Sequence, residues 1–560
     1  MRKKVYFADF ETTQPRANDM RVSVYLWAIV RDTYQAHGTN IDTFMAWCKN
    51  ESNSVLYFHN LKFDFSYIHY WLLKNDIKCE ILEKSGTIYS VKFWGIELRD
   101  SLNFLPMTLG EVGKNYCKIY QKTSIDYNVY WGHEATPQEI EYCINDCRVL
   151  EEGLNNYLTT LEIVLDEAGA HESAKKVRKK LTNAGVAFEA FKELSLYKEC
   201  CPKTTQNEYA LYSKAYKGGY VYSRPSGTLT NIMMIDCNSM YPYMYSSIDM
   251  PIGKGHPCID FDELSRYKFG IVGVWIRYEL KAGYIPIIGG GIGKYGNNIY
   301  KSSSEYEYEE LTVSTVDLDL IQEFYECDIV YKWGVGFETC PKFFADYANK
   351  FLTVKNKEKG VKRNVAKVLL NSPYGKTAMN GLQEIRTYEI ENDAVVAHVS
   401  GYELDDDAYQ YLPIAIAITA NARSYLLRTA QKIGFDNIYY MDTDSIKFKN
   451  CDTGIDYDPN ILGAWKNEGL CDKFKTIAPK KYVYWGVTNA DGSYDTKLHY
   501  ACAGFGKGTL ERDMCANKDV DAETAQYYID KFAPNLTLTC LQSKVVDGGR
   551  ALIPIEKMMK

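Results

Sequence analysis

Four acidic side chains in the first 146 residues have the spacing of ligands for a hard divalent cation. Asp9 and Glu11 stand two apart at the end of the strand-like run from Lys4 to Phe10. Residues i and i+2 of a strand project to the same side, so both carboxylates face one way. Oxygen donors are what Mg²⁺ takes. D-x-E alone is a common pattern, and it gains weight only from further acids downstream in the chain. The stretch His59-Asn60-Leu61-Lys62-Phe63-Asp64 offers a third carboxylate, with Asn60 and Phe63 suited to touching an extended strand. Thr136-Pro137-Gln138-Glu139 opens a helix, with Thr as the cap, Pro at the first position and Glu at the third. That helix is expected to run past Asp146 toward Tyr157, which puts Tyr142 and Asp146 on one face. Four carboxylates on strands and a helix suit two-metal hydrolysis of a phosphodiester. Lys122 is placed to neutralise phosphate charge, and the Tyr142 hydroxyl to orient a water.

A second constellation lies in the later two-thirds of the chain. The apolar run Met233 to Cys237 carries Asp236 at its end and is followed by Asn238-Ser239-Met240-Tyr241-Pro242. Ile438 to Met441 leads into Asp442-Thr443-Asp444, at what reads as a hairpin tip. Two strands ending in Asp bring carboxylates together around a Mg²⁺-bound triphosphate. Between them, Lys355 to Lys367 holds six Lys or Arg against one acid, in a helical pattern that makes it the best phosphate-binding candidate. Lys367, Asn371 and Tyr374 fall at i, i+4 and i+7, one helix face carrying a cation, an amide and a stacking ring. Pro373 is expected to end or kink that helix and tilt Tyr374.

The elements that must position these groups sit in a chain of ordinary globular composition. It has 560 residues, 46% hydrophobic and 24% charged, with a net charge of −7. A disordered or fibrous chain is excluded as the main reading, and the length suggests about three or four domains. The acidity argues against a polybasic coat for DNA, and local patches decide nucleic-acid binding. The 47 tyrosines hint at base stacking. None of the 16 cysteines forms a C-x-x-C pair, so no zinc ribbon or redox motif is expected. Arg2-Lys3-Lys4 is followed too soon by Asp9 for a signal peptide, and the apolar stretch Leu412 to Ala422 is too short to span a bilayer. The expectation is a reduced, intracellular protein with no membrane partner. The first 160 residues alternate strand-like and helix-like runs, as in an α/β domain. The basic cluster Lys175 to Lys180 reads as a linker or helix near a phosphate backbone. Gly289, Gly290, Gly291 and Gly293 mark a turn in a subdomain inserted over 251–343.

Taken together the motifs resemble those of the family B DNA polymerases, and more narrowly the protein-primed branch typified by the phi29-type phage enzymes. Asp9-x-Glu11, Asn60-x-x-Phe63-Asp64 and Tyr142-x-x-x-Asp146 resemble the three motifs of its 3′–5′ exonuclease. Asp236-x-x-Ser239-Met240-Tyr241-Pro242, Lys367-x-x-x-Asn371-Ser372-x-Tyr374-Gly375 and Tyr440-x-Asp442-Thr443-Asp444-Ser445 resemble polymerase motifs A, B and C. Tyr216-x-Gly218-Gly219, Thr419-x-x-Ala422-Arg423 and Lys480-Lys481-Tyr482 resemble the branch's smaller DNA-contacting motifs. They occur in the family order over about 475 residues, which is far more specific than any one of them.

The resemblance implies an α/β and α+β multidomain fold, an RNase H-like 3′–5′ exonuclease domain plus a right-hand polymerase with two insertions. Its expected boundaries are 1–168 for the exonuclease, 169–250 and 412–508 for the palm, 344–378 for the fingers and 509–560 for the thumb. The first insertion, 251–343, would contact a priming protein, and the second, 379–411, would support strand displacement and processivity. Asp236, Asp444 and the Cys237 carbonyl would hold two Mg²⁺, with Asp442 nearby in a lesser part and Mn²⁺ able to substitute. Asp9, Glu11, Asp64 and Asp146 would hold two more. Tyr241 would stack under the sugar and exclude a 2′-OH, Lys355 and Lys367 would grip the triphosphate, and Tyr374 would pack on the nascent base pair beside Asn371. Thr12, Tyr57, His59, Asn60, Phe63, Ser101, Leu102 and Tyr127 would hold a frayed primer end. Tyr216, Gly218, Gly219, Arg363, Thr419, Arg423, Lys480 and Tyr482 would contact DNA. The implied partners are template and primer DNA, dNTPs and a terminal protein, for a monomer acting in the cytoplasm of a phage-infected bacterial host. Pro373 departs from the family pattern, and the region after Gly504 matches it poorly. The rival readings are a polymerase using nucleic-acid primers, a nuclease alone and an inactive DNA-binding homologue. The basic residues are expected to line a channel while the outer surface is negative.

Overall fold

A computed structural model describes residues 3–16, 21–84, 86–292, 298–305, 307–392, 394–405, 408–546 and 549–559. Arg2 and Gly293, used in the sequence reading, lie outside them. The N-terminal sheet is built from β1 (Lys4–Thr12), β2 (Val24–Arg31), β3 (Tyr34–Gly38), β4 (Ser54–Phe58), β5 (Glu80–Lys84), β6 (Thr87–Phe93) and β7 (Ile96–Asp100). Their order is β3-β2-β1-β4-β7-β6-β5, with β4 parallel to both β1 and β7. All of Ser54-Val55-Leu56-Tyr57-Phe58 is buried, as a central strand covered on both faces must be. The strand alternation is visible in β1. Tyr6, Ala8 and Phe10 pack under α1 (Ile41–Asn50) and α2 (Leu61–Lys74), whereas Phe7 faces the opposite core. α3 (Leu109–Tyr116) and α4 (Pro137–Glu167) cover that second face.

The capping box at the start of α4 forms as expected, and the helix runs ten residues beyond Tyr157. β1 also extends past Phe10 to Thr12, so Asp9 and Glu11 lie within the strand. Lys175 pairs with Glu172 at 2.7 Å, Arg178 with Glu162 at 2.9 Å and Lys180 with Glu189 at 3.2 Å. Three charges of the basic cluster are thus paired with neighbouring acids of the fold.

The central sheet contains β8 (Val221–Ser223) and β9 (Ile232–Cys237). The segment after them folds into a four-stranded antiparallel sheet of β10 (Asp249–Cys258), β11 (Phe269–Leu280), β14 (Glu309–Ser314) and β15 (Tyr325–Pro341). The short pair β12 (Ile288–Ile292) and β13 (Asn298–Lys301) stands beside it. A separate hairpin, β16 (Leu382–Glu391) with β17 (Ala394–Leu404), precedes the buried helix Leu412–Ile433. This helix contains the apolar stretch noted in the sequence, and no helix among the described residues is long and apolar enough to cross a membrane. The central sheet is completed by β18 (Ile438–Asp442), β19 (Ser445–Lys449), β20 (Trp465–Ala478), β21 (Lys481–Thr488), β22 (Tyr494–Asp495) and β23 (His499–Cys502). Its main order is β22-β21-β20-β9-β19-β18-β8, with β23 paired to β21. The C-terminal segment forms two helices and the hairpin of β24 (Thr537–Val546) and β25 (Gly549–Met558).

The basic run Lys355 to Lys367 is not one helix. Gly360, at φ +59°, begins a second helix, so the run splits into Ala345–Lys357 and Gly360–Asn371. Few residues other than glycine take that backbone conformation without strain.

Candidate catalytic centres

Asp9 and Glu11 share the side of β1 on which Phe7 lies, so they face α4. Their carboxylate oxygens and the Cys143 sulfur lie within 4.8 Å of one another. One turn along α4, Asp146 is 2% exposed. One of its oxygens receives the Lys122 ammonium. The other is buried with no hydrogen-bond partner among the described residues. Lys122 also donates to the Tyr142 hydroxyl at 2.6 Å, and that hydroxyl lies 2.5 Å from the Tyr127 hydroxyl. Burial raises the pKa of Asp9, Glu11 and Asp64, and mutual repulsion raises them further. Asp146 is raised by burial against the opposing pull of Lys122. Asp64 is buried near the start of α2, and Asp9 is the acid whose charge repels it most. A cavity of about 840 Å³ opens beside the centre, lined by Thr123, Asp126, His133, Tyr142 and Asn145.

Asn60 sits at φ +72° at the entry to α2, and its N–H donates to Asp100 at 3.1 Å. The same Asp100 oxygen receives the Leu102 N–H at 2.9 Å. Asp100 therefore fixes Asn60 relative to Leu102. The sequence reading missed it, although an acid placed to cap the next turn, just before Ser101-Leu102, is a readable signal. Thr12, Asn60, Phe63, Leu102 and Tyr127 keep exposed or half-exposed surface. Three expected contact residues point into the fold instead. Tyr57 is 4% exposed because β4 is central, and its ring stacks on Phe7. Ser101 is buried and donates to the Phe58 carbonyl at 2.9 Å. The His59 ring nitrogens lie 2.8 Å from Ser101 Oγ and 2.8 Å from the Met107 carbonyl, and burial lowers its pKa.

The second centre forms where β9 ends beside the β18–β19 tip. Asp236 is paired in register with Ser445, and the Cys237 N–H donates to the Asp444 carbonyl at 2.7 Å. Thr443 turns the hairpin at φ +59°, and its N–H donates to the Tyr220 carbonyl at 2.9 Å. Gly219 lies so close that a Cβ there would come within 2.3 Å of Thr443 Oγ1. The Tyr216-x-Gly218-Gly219 turn thus docks on the acidic tip. Arg423 holds the turn in place. Its guanidinium grips Asp317 in a two-pronged pair and donates to the carbonyls of Lys217 and Gly218 at 2.6 and 2.9 Å. Arg423 is 8% exposed and Thr419 is 1% exposed, with the Thr419 hydroxyl bonded to the Ala415 carbonyl of its own helix. The structure makes both of them internal supports, which corrects their expected contact with DNA.

Burial raises the Asp236 pKa to about 7, with Asp444 and then Glu468 adding repulsion. Asp444 is also raised, by burial first and then by Asp442. Asp442 is held apart from this pair by the Lys480 ammonium at 2.6 Å and the Tyr440 hydroxyl at 3.2 Å. Tyr482 meets the Tyr440 ring edge-on at 4.7 Å. Lys447, which the sequence reading missed, is 7% exposed beneath the centre, with its ammonium over the Tyr482 ring at 4.8 Å. A lysine between Ile446 and Phe448 in a strand is its signal.

Ser239, at φ +54°, opens the helix Met240–Ser247. This helix carries Tyr241, whose ring centroid lies 4.4 Å from that of Tyr374. Asn371 ends its helix and bonds back to the Lys367 carbonyl at 2.9 Å, and a 3-10 turn comes after Pro373. Tyr374 therefore leaves the face it was expected to share with Lys367 and Asn371 and meets Tyr241. Lys355 reaches Asn238 Oδ1 at 3.0 Å and Ser239 Oγ at 3.1 Å, while Arg363 donates to the Lys355 carbonyl. Burial lowers the Lys355 pKa, and the nearby charges of Arg363 and Lys367 lower it further.

Residues 47–136 and 130–453 match the family described as DNA polymerase type B, organellar and viral. The DNA polymerase of Bacillus phage M2 is 31% identical over 560 residues, spanning 90% of this chain and 93% of its own. That of Bacillus phage phi29 is 31% identical over 525 residues, spanning 86% and 87%. The phi29 DNA polymerase structure with primer-template DNA and incoming nucleotide superposes with a TM-score of 0.85 at 26% identity, covering 100% of both chains. The fold they share is an RNase H-like sheet domain joined to a right-hand polymerase. With Asp236 and Asp444 side by side and the whole chain matched, the protein belongs to the family B DNA polymerases and is a DNA-directed DNA polymerase of the phi29 type.

Proposed function

We propose that the two centres divide replication into building and trimming, and that the chain replicates a linear genome by protein-primed, strand-displacing synthesis. The reading is carried by two clusters of buried and half-buried acids, one around Asp9 and one around Asp236, each with raised pKa values that a bound cation would relieve. The donor sets fit hard divalent ions. Asp9, Glu11, Asp64 and Asp146 would supply oxygens in the first centre, and the Asp146 oxygen with no partner among the described residues is an acceptor that a cation would complete. Asp236, Asp444 and the Cys237 carbonyl supply them in the second. Two Mg²⁺ per centre, or Mn²⁺ in their place, would lower the cost of charge on the attacking and leaving oxygens.

In the second centre, a primer 3′-OH or a hydroxyl of a terminal protein attacks the α-phosphorus of a dNTP, and pyrophosphate leaves. Lys355 and Lys367 bind the triphosphate, while Tyr241 and Tyr374 set the floor for sugar and base. In the first centre, water attacks the last phosphodiester of a frayed 3′ end, with Lys122 and Tyr142 placing charge and hydroxyl beside it. Mispaired ends melt more readily, so trimming selects by duplex stability. Segment 251–343 takes the priming protein and 379–411 supports strand displacement. The enzyme is a monomer that acts in the cytoplasm of the infected host.

The test is extension of a primed single strand with Mg²⁺ and dNTPs against a downstream duplex, with labelled dNMP offered separately to a candidate terminal protein. Displacement of the duplex, together with label on a Ser, Thr or Tyr of the partner, is the expected result. Extension without either product would reduce the chain to a polymerase using nucleic-acid primers.

A further inference from the structure

The helix α4 brings to the N-terminal centre one donor that hard-ion chemistry does not require. Cys143 lies between Tyr142 and Asp146 in sequence, and its thiol is fully buried. Its sulfur and the carboxylate oxygens of Asp9 and Glu11 lie within 4.8 Å of one another. The thiol donates to the Asp9 carbonyl at 3.6 Å, and burial holds it protonated, well above the ordinary thiol range. Mg²⁺ takes oxygen ligands and has no use for sulfur. Zinc-class ions accept thiolate and carboxylate together, in tetrahedral sites. A second observation concerns the same cluster. One turn along α4, a buried oxygen of Asp146 has no hydrogen-bond partner among the described residues.

We propose that Cys143, Asp9 and Glu11 form a mixed sulfur–oxygen site for a thiophilic divalent cation of the zinc class. Metal–sulfur and metal–oxygen bonds of about 2.3 and 2.1 Å at tetrahedral angles ask for sulfur–oxygen separations of roughly 3.6 Å. Donors that lie within 4.8 Å of one another therefore need to draw in by at most about 1 Å. On coordination the S–H bond opens, its electron pair enters the metal–sulfur bond, the proton passes to solvent, and nothing is oxidised. A cation held there occupies the place where Asp9 and Glu11 would take a hard ion, so zinc-class ions would compete with Mg²⁺ and stop trimming. Only this last consequence rests on the nuclease reading; the binding does not.

Two measurements on the full chain test the site. X-ray absorption at the zinc edge, with one equivalent of Zn²⁺, is expected to show a sulfur neighbour at about 2.3 Å, and a shell of oxygen and nitrogen alone overturns the proposal. Titration with Cd²⁺ is expected to raise a thiolate-to-cadmium ultraviolet band whose apparent Kd weakens at least tenfold in Cys143→Ser and Cys143→Val but not in Cys147→Ser. A band of unchanged strength and affinity in both Cys143 variants overturns the proposal as well. If those variants do not fold, the absorption measurement on the unaltered chain decides alone. Release of 3′ nucleotides by the unaltered chain with Mg²⁺ and no zinc tests the nuclease reading separately, so either can fail while the other stands.

Discussion

The acids of the N-terminal centre come from three elements, β1, α2 and α4, whereas those of the C-terminal centre come from two adjoining strand ends, β9 and the β18–β19 tip. Their counter-charges differ as well. One lysine, Lys122, binds Asp146 directly in the first centre. In the second, Lys480 binds Asp442 and Lys447 lies buried beneath, so Asp236 and Asp444 face each other with part of their repulsion already offset. A centre assembled from separate elements depends on the packing of the whole domain. A centre built on neighbouring strands depends instead on the conformation of one hairpin and on what presses against it. Here that is the glycine turn held by Arg423.

The largest effect that would break this comparison is a failure of the two centres to separate. Asp236→Ala or Asp444→Ala is expected to cut primer extension by at least about 10³-fold, the order lost with a group that stabilises developing charge, and to leave degradation of single strands intact. Asp9→Ala or Asp64→Ala is expected to do the reverse. Loss of both activities in each variant, with an unchanged circular dichroism spectrum, would show that they share one site.

Gly219→Ala probes the hairpin dependence. The new methyl meets Thr443 at the acidic tip, and overpacking of this kind costs about 1–3 kcal/mol. Extension assays are expected to show a loss of about tenfold at equal enzyme concentration, since about 1.4 kcal/mol is a factor of ten. Degradation is expected to be unaffected, and normal extension would mean that the turn does not set the tip.

The raised acids make a third prediction. Asp236 has a folded pKa near 7 against 3.8 for a free carboxyl. The folded chain therefore holds this proton more tightly, so its contribution to stability is complete below the unfolded value and is lost as pH rises through the folded one. Between about pH 5 and about pH 8, the melting temperature of the native chain in chelator should fall further than that of Asp236→Asn. Mg²⁺ should restore more at the upper pH, because it binds the ionised form. Parallel curves for the two proteins, measured by differential scanning fluorimetry, would remove the electrostatic argument for that centre.

The smallest effect is expected at the start of α4. Thr136→Ala removes a cap that receives the Glu139 N–H at 3.3 Å, at a cost of about 1 kcal/mol. Urea unfolding followed by fluorescence should register it. Trimming should suffer more than synthesis, because α4 carries Tyr142 and Asp146. Equal loss in both would contradict the dependence of the first centre on its own packing.

Much of both centres was legible because it is local. Strand alternation put Asp9 and Glu11 on one side, the capping box announced α4, and the Asp442-Thr443-Asp444 tip sits between two runs that pair as a hairpin. Burial was less legible, because it depends on what lies across the core. Tyr57, Ser101, Thr419 and Arg423 have side chains that suit nucleic acid, yet each is turned inward by a neighbour remote in sequence or by its place in a covered element. The break at Gly360 and the meeting of Tyr374 with Tyr241 also depend on how adjoining segments pack.

The sequence by itself determined the order of the motifs, the pairing of acids two apart on strands and the helix face shared by Tyr142 and Asp146, since these arise from backbone period and cap chemistry over a few residues. Only the tertiary structure decided that Cys143 joins Asp9 and Glu11, that Lys447 lies beneath Asp236, and that Asp317 on a distant helix holds Arg423. Those contacts join residues 106 to 211 positions apart in the chain, where side-chain period carries no information and close packing settles which groups meet.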